Sequence, residues 1–188
     1  SLYLNITNRC TNACVFCAKR DDYYVKGHYL KLPGEPSVEE VLAEVGDPTR
    51  YDEIVFCGFG EPLLRLGDVK AIAKVLKAKG ARIRVNTDGL ANLVHGRNVL
   101  PELSGLVDAL SVSLNAPDAE TYARICPNRY GAVSFHAILD FLREAPKHIP
   151  SVAATAVALP DLDHDAVRRL AGSIPGVAFR LRSYAEVG

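Results

Sequence analysis

The chain reads as α/β, a partial, TIM-like (β/α)6 barrel built on a parallel six-stranded sheet. Three observations predict it. Short β-prone runs alternate with helical patterns along all 188 residues. The alternation repeats at roughly thirty residues per unit, and six such units occur. Eight units would close a full barrel; six leave it open. A doubly wound sheet shows the same alternation, and in either architecture a ligand sits at the carboxyl ends of the strands.

The first strand is Leu2 to Thr7, LYLNIT, rich in branched and aromatic residues. An irregular stretch from about residue 8 to 36 follows and carries the cysteines. Ser37 is an N-cap with Glu40 three residues on, a capping box that opens a helix to about Val45. Residues 53–57, EIVFC, form a buried strand. Asp68 to Lys79 places Val69, Ile72, Ala73 and Leu76 on one helical face, and Gly80 stops it. Strands are expected at 82–85, 109–114, 152–159 and 177–181, and helices at 99–104, 118–125, 133–144 and 163–174. Nothing marks a linker or a repeat, so residues 1–188 are taken as one domain.

Composition narrows the class. Hydrophobic residues make up 48% and charged residues 23%, as in a globular domain with a core. Lys plus Arg equals Asp plus Glu at 22 each, which argues against a general nucleic-acid binder. No apolar run approaches the ~20 residues of a membrane span. Met is absent even at position 1, which suggests that the chain begins after its native start. Three of the five cysteines lie between positions 10 and 17, a spacing suited to a metal centre and to a reducing cytoplasm.

That cluster reads Cys10-Thr-Asn-Ala-Cys14-Val-Phe-Cys17, just after the first strand. Thiolates suit iron–sulfur clusters or zinc. Structural zinc wants four protein ligands, and the next histidine, His28, is eleven residues beyond Cys17. Three ligands on a cubane would leave one iron open. The CxxxCxxC spacing, with an aromatic before the last cysteine, resembles the signature of the radical S-adenosylmethionine superfamily. The resemblance implies a 4Fe–4S cluster on Cys10, Cys14 and Cys17 whose open iron chelates S-adenosylmethionine. It implies reductive cleavage of that cofactor to a 5′-deoxyadenosyl radical that abstracts hydrogen from a substrate.

Further segments resemble the family where it would place them. Gly58-Phe-Gly60-Glu61-Pro62 is similar to a GGEP motif that binds the cofactor's amino group, with Phe59 splitting the glycine pair. Asn86-Thr87-Asp88-Gly89 resembles an NTNG-type segment at the cofactor's polar end. Alternation points Ser111, Ser113 and Asn115 to one face, and the resemblance gives Ser113 and Asn115 the ribose or carboxylate. Val157 and Phe16 are expected near adenine. Arg182, rather than Arg180, is expected to meet an anionic group. Cys57 reads as a buried small side chain, Cys126 as a buried or loop cysteine or else a second reactive thiol that supplies or accepts a hydrogen atom, and Tyr23, Tyr24 and Tyr29 as a lid, a substrate contact or a solvated loop.

The wording LNITNRCTNACVFCAKR, GFGEPLLR and SLNAPDAETYARICPNRYG is most similar to small TatD-associated radical proteins. The implied enzyme acts on a small molecule or a protein, as an activase or a small-heterocycle enzyme. It draws electrons from a flavodoxin or ferredoxin, and its open barrel suits closure in a homodimer. The rival is a structural iron–sulfur or zinc module that binds a partner without catalysis.

Overall fold

The computed structural model describes residues 1–20, 23–25 and 27–184. One sheet contains β1 (Leu2–Leu4), β2 (Ile54–Phe56), β3 (Ile83–Thr87), β4 (Ala109–Ser113), β5 (Ser151–Val157) and β6 (Val177–Arg182). They stand side by side in sequence order, and every neighbouring pair is parallel. Parallel crossovers are almost always right-handed. With no reversal of strand order, the helices then fall on one face. The fold is a singly wound, open (β/α)6 barrel; a doubly wound sheet would need a switch in direction, and this one has none.

The helices are α1 (Val38–Val45), α2 (Leu66–Ala78), α3 (Ala91–His95), α4 (Leu100–Leu103), α5 (Ala119–Ile125), α6 (Val133–Glu144) and α7 (His164–Gly172). The capping box at Ser37 is present in both directions: Glu40 N–H donates to Ser37 Oγ (3.1 Å) and Ser37 N–H to Glu40 Oε2 (2.7 Å). Val69, Ile72, Ala73 and Leu76 of α2 are buried as their spacing predicts. Successive residues Ile54, Val55 and Phe56 of β2 are all inaccessible, so this strand is covered on both faces.

Several bounds differ from expectation for local reasons. β1 stops at Leu4 because the next polar side chains bind the returning loop instead of a neighbouring strand. Asn5 Nδ2 donates to Leu30 O (2.6 Å), Thr7 Oγ1 to Glu35 Oε1 (2.6 Å) and Asn8 Nδ2 to Leu32 O (2.7 Å). β3 runs on to Thr87, and a 3-10 turn, Pro62–Arg65, precedes α2. α3 was not anticipated at all. The stretch read as wholly irregular contains a 3-10 turn, Ala18–Arg20, and a small antiparallel ribbon pairing Tyr24–Val25 with His28–Tyr29. Among the described residues, no helix is long and apolar enough to cross a membrane.

Candidate cluster and cofactor site

A cavity of about 350 Å³ opens at the carboxyl ends of the strands. Each strand delivers part of its wall. The loop after β1 places Cys10, Cys14, Phe16 and Cys17, and the loop after β2 places Gly58, Gly60 and Glu61. The end of β3 supplies Asn86, Thr87 and Asp88; β4 and its exit supply Ser113 and Asn115. Val157 ends β5 and Arg182 ends β6. Every site residue expected from the sequence therefore lines one cavity. Ser111 sits deeper in β4 and does not reach it.

Other wall residues escaped the sequence reading. Asn12 and Ala18 belong to the cysteine loop and Val25 to the small ribbon, where Tyr24, one of the tyrosines read as a lid or a solvated loop, lines the wall beside it. Cys57, read as simply buried, also lines the cavity, because β2 ends one residue before it. Tyr184 closes the wall beyond β6. Phe59, the residue that departs from the glycine pair, is 6% exposed, with Tyr23 set edge-on to its ring at 5.5 Å. A hydrophobic residue between two glycines was the one local signal for that packing.

The cysteine loop is held from two sides. On one, Glu61 N–H donates to Arg9 O (2.8 Å) and Lys19 Nζ donates to Asn8 O. Arg9 forks onto Glu35, at 2.6 Å from Nε and 3.0 Å from Nη2. On the other, Ala13 N–H donates to Pro127 O (2.8 Å), Val15 N–H to Ile125 O (2.9 Å), and Asn12 Nδ2 to Tyr122 Oη (2.9 Å). No periodicity in the sequence announces these contacts between residues more than a hundred positions apart.

The glycines after β2 serve this docking. A Cβ on Gly60 would fall well inside contact distance of the Thr7 and Arg9 carbonyl oxygens, and one on Gly58 would overlap the Asn5 side chain. Neither obstacle at Gly60 is a flexible side-chain end, since both are backbone oxygens. Gly60→Ala is therefore expected to push the cysteine loop off β2 and to cost about 1–3 kcal/mol, as overpacking does. Chemical denaturation checks the stability, and limited proteolysis between residues 8 and 20 checks the loop.

Glu61 is buried and largely committed to the protein itself. Its Oε1 accepts from Leu63 N–H (2.9 Å) and Thr87 Oγ1–H (2.9 Å), and its Oε2 from Asp88 N–H (2.6 Å). It thus caps the turn after β2 and ties it to the end of β3. Burial, and next the charge of Asp88, push its carboxyl well up from the usual range against these three donors. Burial likewise raises Asp88, whose Oδ1 accepts from Leu90 N–H at 2.9 Å.

The loop thiols and Cys57 are all pushed up from the ordinary thiol range. Cys10 is exposed as a residue, and the protein packed around its sulfur, with the neighbouring Asp88 and Glu61 charges, pushes its thiol up. A hydrogen bond with Cys126, then burial, raises Cys14; burial raises Cys17 and Cys57. Any centre that ligates these cysteines must displace protons. Among the described residues, four polar atoms on the cavity's wall are buried without a hydrogen-bond partner: Asn12 Oδ1, Asp88 Oδ2, Asn115 Oδ1 and Arg182 Nε. Native interiors leave few such atoms unpaired unless something polar meets them. Among the described residues, no three His, Cys, Asp or Glu side chains converge to hold a single ion.

Known proteins place the chain. It is 22% identical over 97% of its length to the uncharacterized protein MJ0804 of Methanocaldococcus jannaschii, of which it spans 58%. It is 33% identical over 125 residues to a probable dual-specificity RNA methyltransferase RlmN of Deinococcus deserti, covering 35% of that protein. The chain thus spans about half or less of these relatives. Among solved structures, a radical SAM methyltransferase from Sphaerobacter thermophilus superposes on 96% of the chain with a TM-score of 0.66 at 20% identity, over 54% of its own length. Residues 4–174 match the family model described as the Radical SAM superfamily. With nearly the whole chain inside that match, and three cysteines set in the cavity after the first barrel strand, the protein belongs to the radical SAM superfamily.

Proposed function

We propose that Cys10, Cys14 and Cys17 hold a 4Fe–4S cluster with one iron left open, and that the chain cleaves S-adenosylmethionine reductively to begin hydrogen abstraction from a substrate. The observation that carries this reading is the meeting of the cysteine loop's three thiols with several buried polar atoms that lack partners among the described residues, all in one cavity. The donor set suits the group. A cubane takes one thiolate on each of three irons, so its ligands stand apart instead of converging on a point. When bound and reduced, the cluster would supply the electron for reductive cleavage of S-adenosylmethionine into methionine and a 5′-deoxyadenosyl radical.

The chain's own residues then bind and orient. Arg182, whose Nε has no partner, suits a carboxylate, and the free Asp88 Oδ2 suits an ammonium. Ser113 and Asn115 offer hydroxyl and amide groups to a ribose, and Val157 and Phe16 an apolar surface to a base. Tyr24 and Tyr184 stand where the wall meets solvent and would limit access of water once substrate is bound. The same reading includes a flavodoxin- or ferredoxin-type electron donor and a small-molecule or protein substrate. Its narrower form places the chain with the TatD-associated members.

The test is anaerobic reconstitution with iron and sulfide, followed by quantitation of 5′-deoxyadenosine after dithionite reduction with S-adenosylmethionine. Slow, measurable release is expected without substrate. No release from protein with a reduced cluster seen by electron paramagnetic resonance would leave a structural iron–sulfur module. Preferential retention of zinc would leave a zinc module.

A further inference from the structure

Cys126 has no part in the chemistry proposed above, yet it lies beside one of the ligands. The cysteine loop runs antiparallel to the segment after α5. Ala13 pairs with Pro127, Val15 with Ile125, and Asn12 with Asn128. This register sets Cys14 directly opposite Cys126. Because the pairs on either side carry the backbone hydrogen bonds, the 14–126 pair is of the non-hydrogen-bonded kind. In such pairs the side chains leave on one face and the Cα atoms approach to ~4.5 Å. Cys14 packs against the buried core of which Cys126 is part.

The location of donors sets the direction of that contact. Cys126 is wholly inaccessible, and its Sγ accepts from Asn115 Nδ2 at 3.6 Å. Asn115 is itself 3% exposed and holds a φ of 59°, a left-handed conformation uncommon outside glycine. With the sulfur accepting from Asn115, the Cys126 S–H is left to donate, and the sulfur of Cys14 faces it. A ligating thiolate is a stronger acceptor than a neutral thiol.

We propose that Cys126 is a positioning residue for the cluster: its S–H, oriented by Asn115, donates to the Cys14 sulfur and raises the cluster's reduction potential. The inference rests on Cys14 being a ligand. A hydrogen bond donated to a ligand sulfur offsets part of the negative charge that reduction adds, so it favours the reduced state. Serine at 126 keeps a donor; alanine and valine remove it, and valine also fills the space.

The experiment reconstitutes wild type, Cys126→Ser, Cys126→Ala and Cys126→Val, and measures iron content, midpoint potential and exchangeable-proton couplings to the reduced cluster. Iron content is expected to be the same in all four. Alanine and valine should shift the potential to more negative values and lose one coupling that exchanges in deuterium oxide. Serine should stay with the wild type. If the alanine variant does not fold, the valine variant carries the same comparison. Unchanged potential and couplings in the apolar variants, at full iron content, would overturn the inference while leaving the cluster reading intact, as would a serine variant that behaves like alanine. Failure of the wild type itself to hold iron would remove both.

Discussion

Cys14→Ala is expected to reduce retained iron and 5′-deoxyadenosine formation to background together. Cys14 lines the cavity together with Cys10 and Cys17, in a loop fixed by backbone hydrogen bonds at both neighbouring residues. Removing its sulfur leaves two thiols, while the backbone that positions them stays pinned to Pro127 and Ile125. The fold should therefore survive the loss, and far-ultraviolet circular dichroism of the variant should match the wild type. Cys10→Ala and Cys17→Ala should behave alike. Cys57→Ala provides the control: it lines the same cavity but is not one of the three proposed ligands, so iron should be retained. Iron at the wild-type level in Cys14→Ala would show that the cysteine loop does not hold the cluster.

The second large effect concerns the link between the loops after β2 and β3. Glu61→Ala would strand three donors, Leu63 N–H, Thr87 Oγ1–H and Asp88 N–H, around an emptied buried site. Each unsatisfied buried donor costs ~1–3 kcal/mol, so a total loss of about 3 kcal/mol or more is expected. That is a large share of the ~5–15 kcal/mol that holds a typical domain folded. Glu61→Gln should also destabilise, because its amide NH2 must face one of those donors. Urea denaturation of the cluster-free protein measures both, and an unchanged midpoint in either variant would remove Glu61 from this structural role.

The same residue gives stability a pH dependence of definite sign. A carboxyl whose native pKa is raised binds its proton more tightly when folded. Its contribution is full below the unfolded glutamate range near ~4.3 and is lost as pH rises through the raised native value. Burial and the Asp88 charge raise Glu61, and burial raises Asp88, so both act in this direction. The stability of the cluster-free protein should therefore carry a component that falls as pH rises from the ordinary carboxylate range. Glu61→Ala should make that fall shallower and leave the part that burial of Asp88 carries.

Which features were legible in advance follows from how local their causes are. The capping box at Ser37 and the buried face of α2 depend on residues three or four positions apart, and both formed as read. The strand ends were less legible. Whether Asn5 and Thr7 continued β1 depended on Leu30 and Glu35, which return to meet them. α3 has no side-chain cap at its start and only five residues, so its pattern was too short to register.

By itself the sequence determined the βα alternation, the three-cysteine loop after the first strand and the polar and glycine-bearing segments that end the next ones. Hydrophobic periodicity and short-range spacing encode those directly. Only the tertiary structure decided that the sheet is singly wound, since strand order is a matter of long-range pairing. It also showed that Gly58 and Gly60 make room for the cysteine loop, that Glu61 spends most of its carboxylate on the protein's own donors, and that Cys126 lies opposite Cys14. Each of these joins residues distant in sequence, and each follows from which polar groups find partners once the chain is packed.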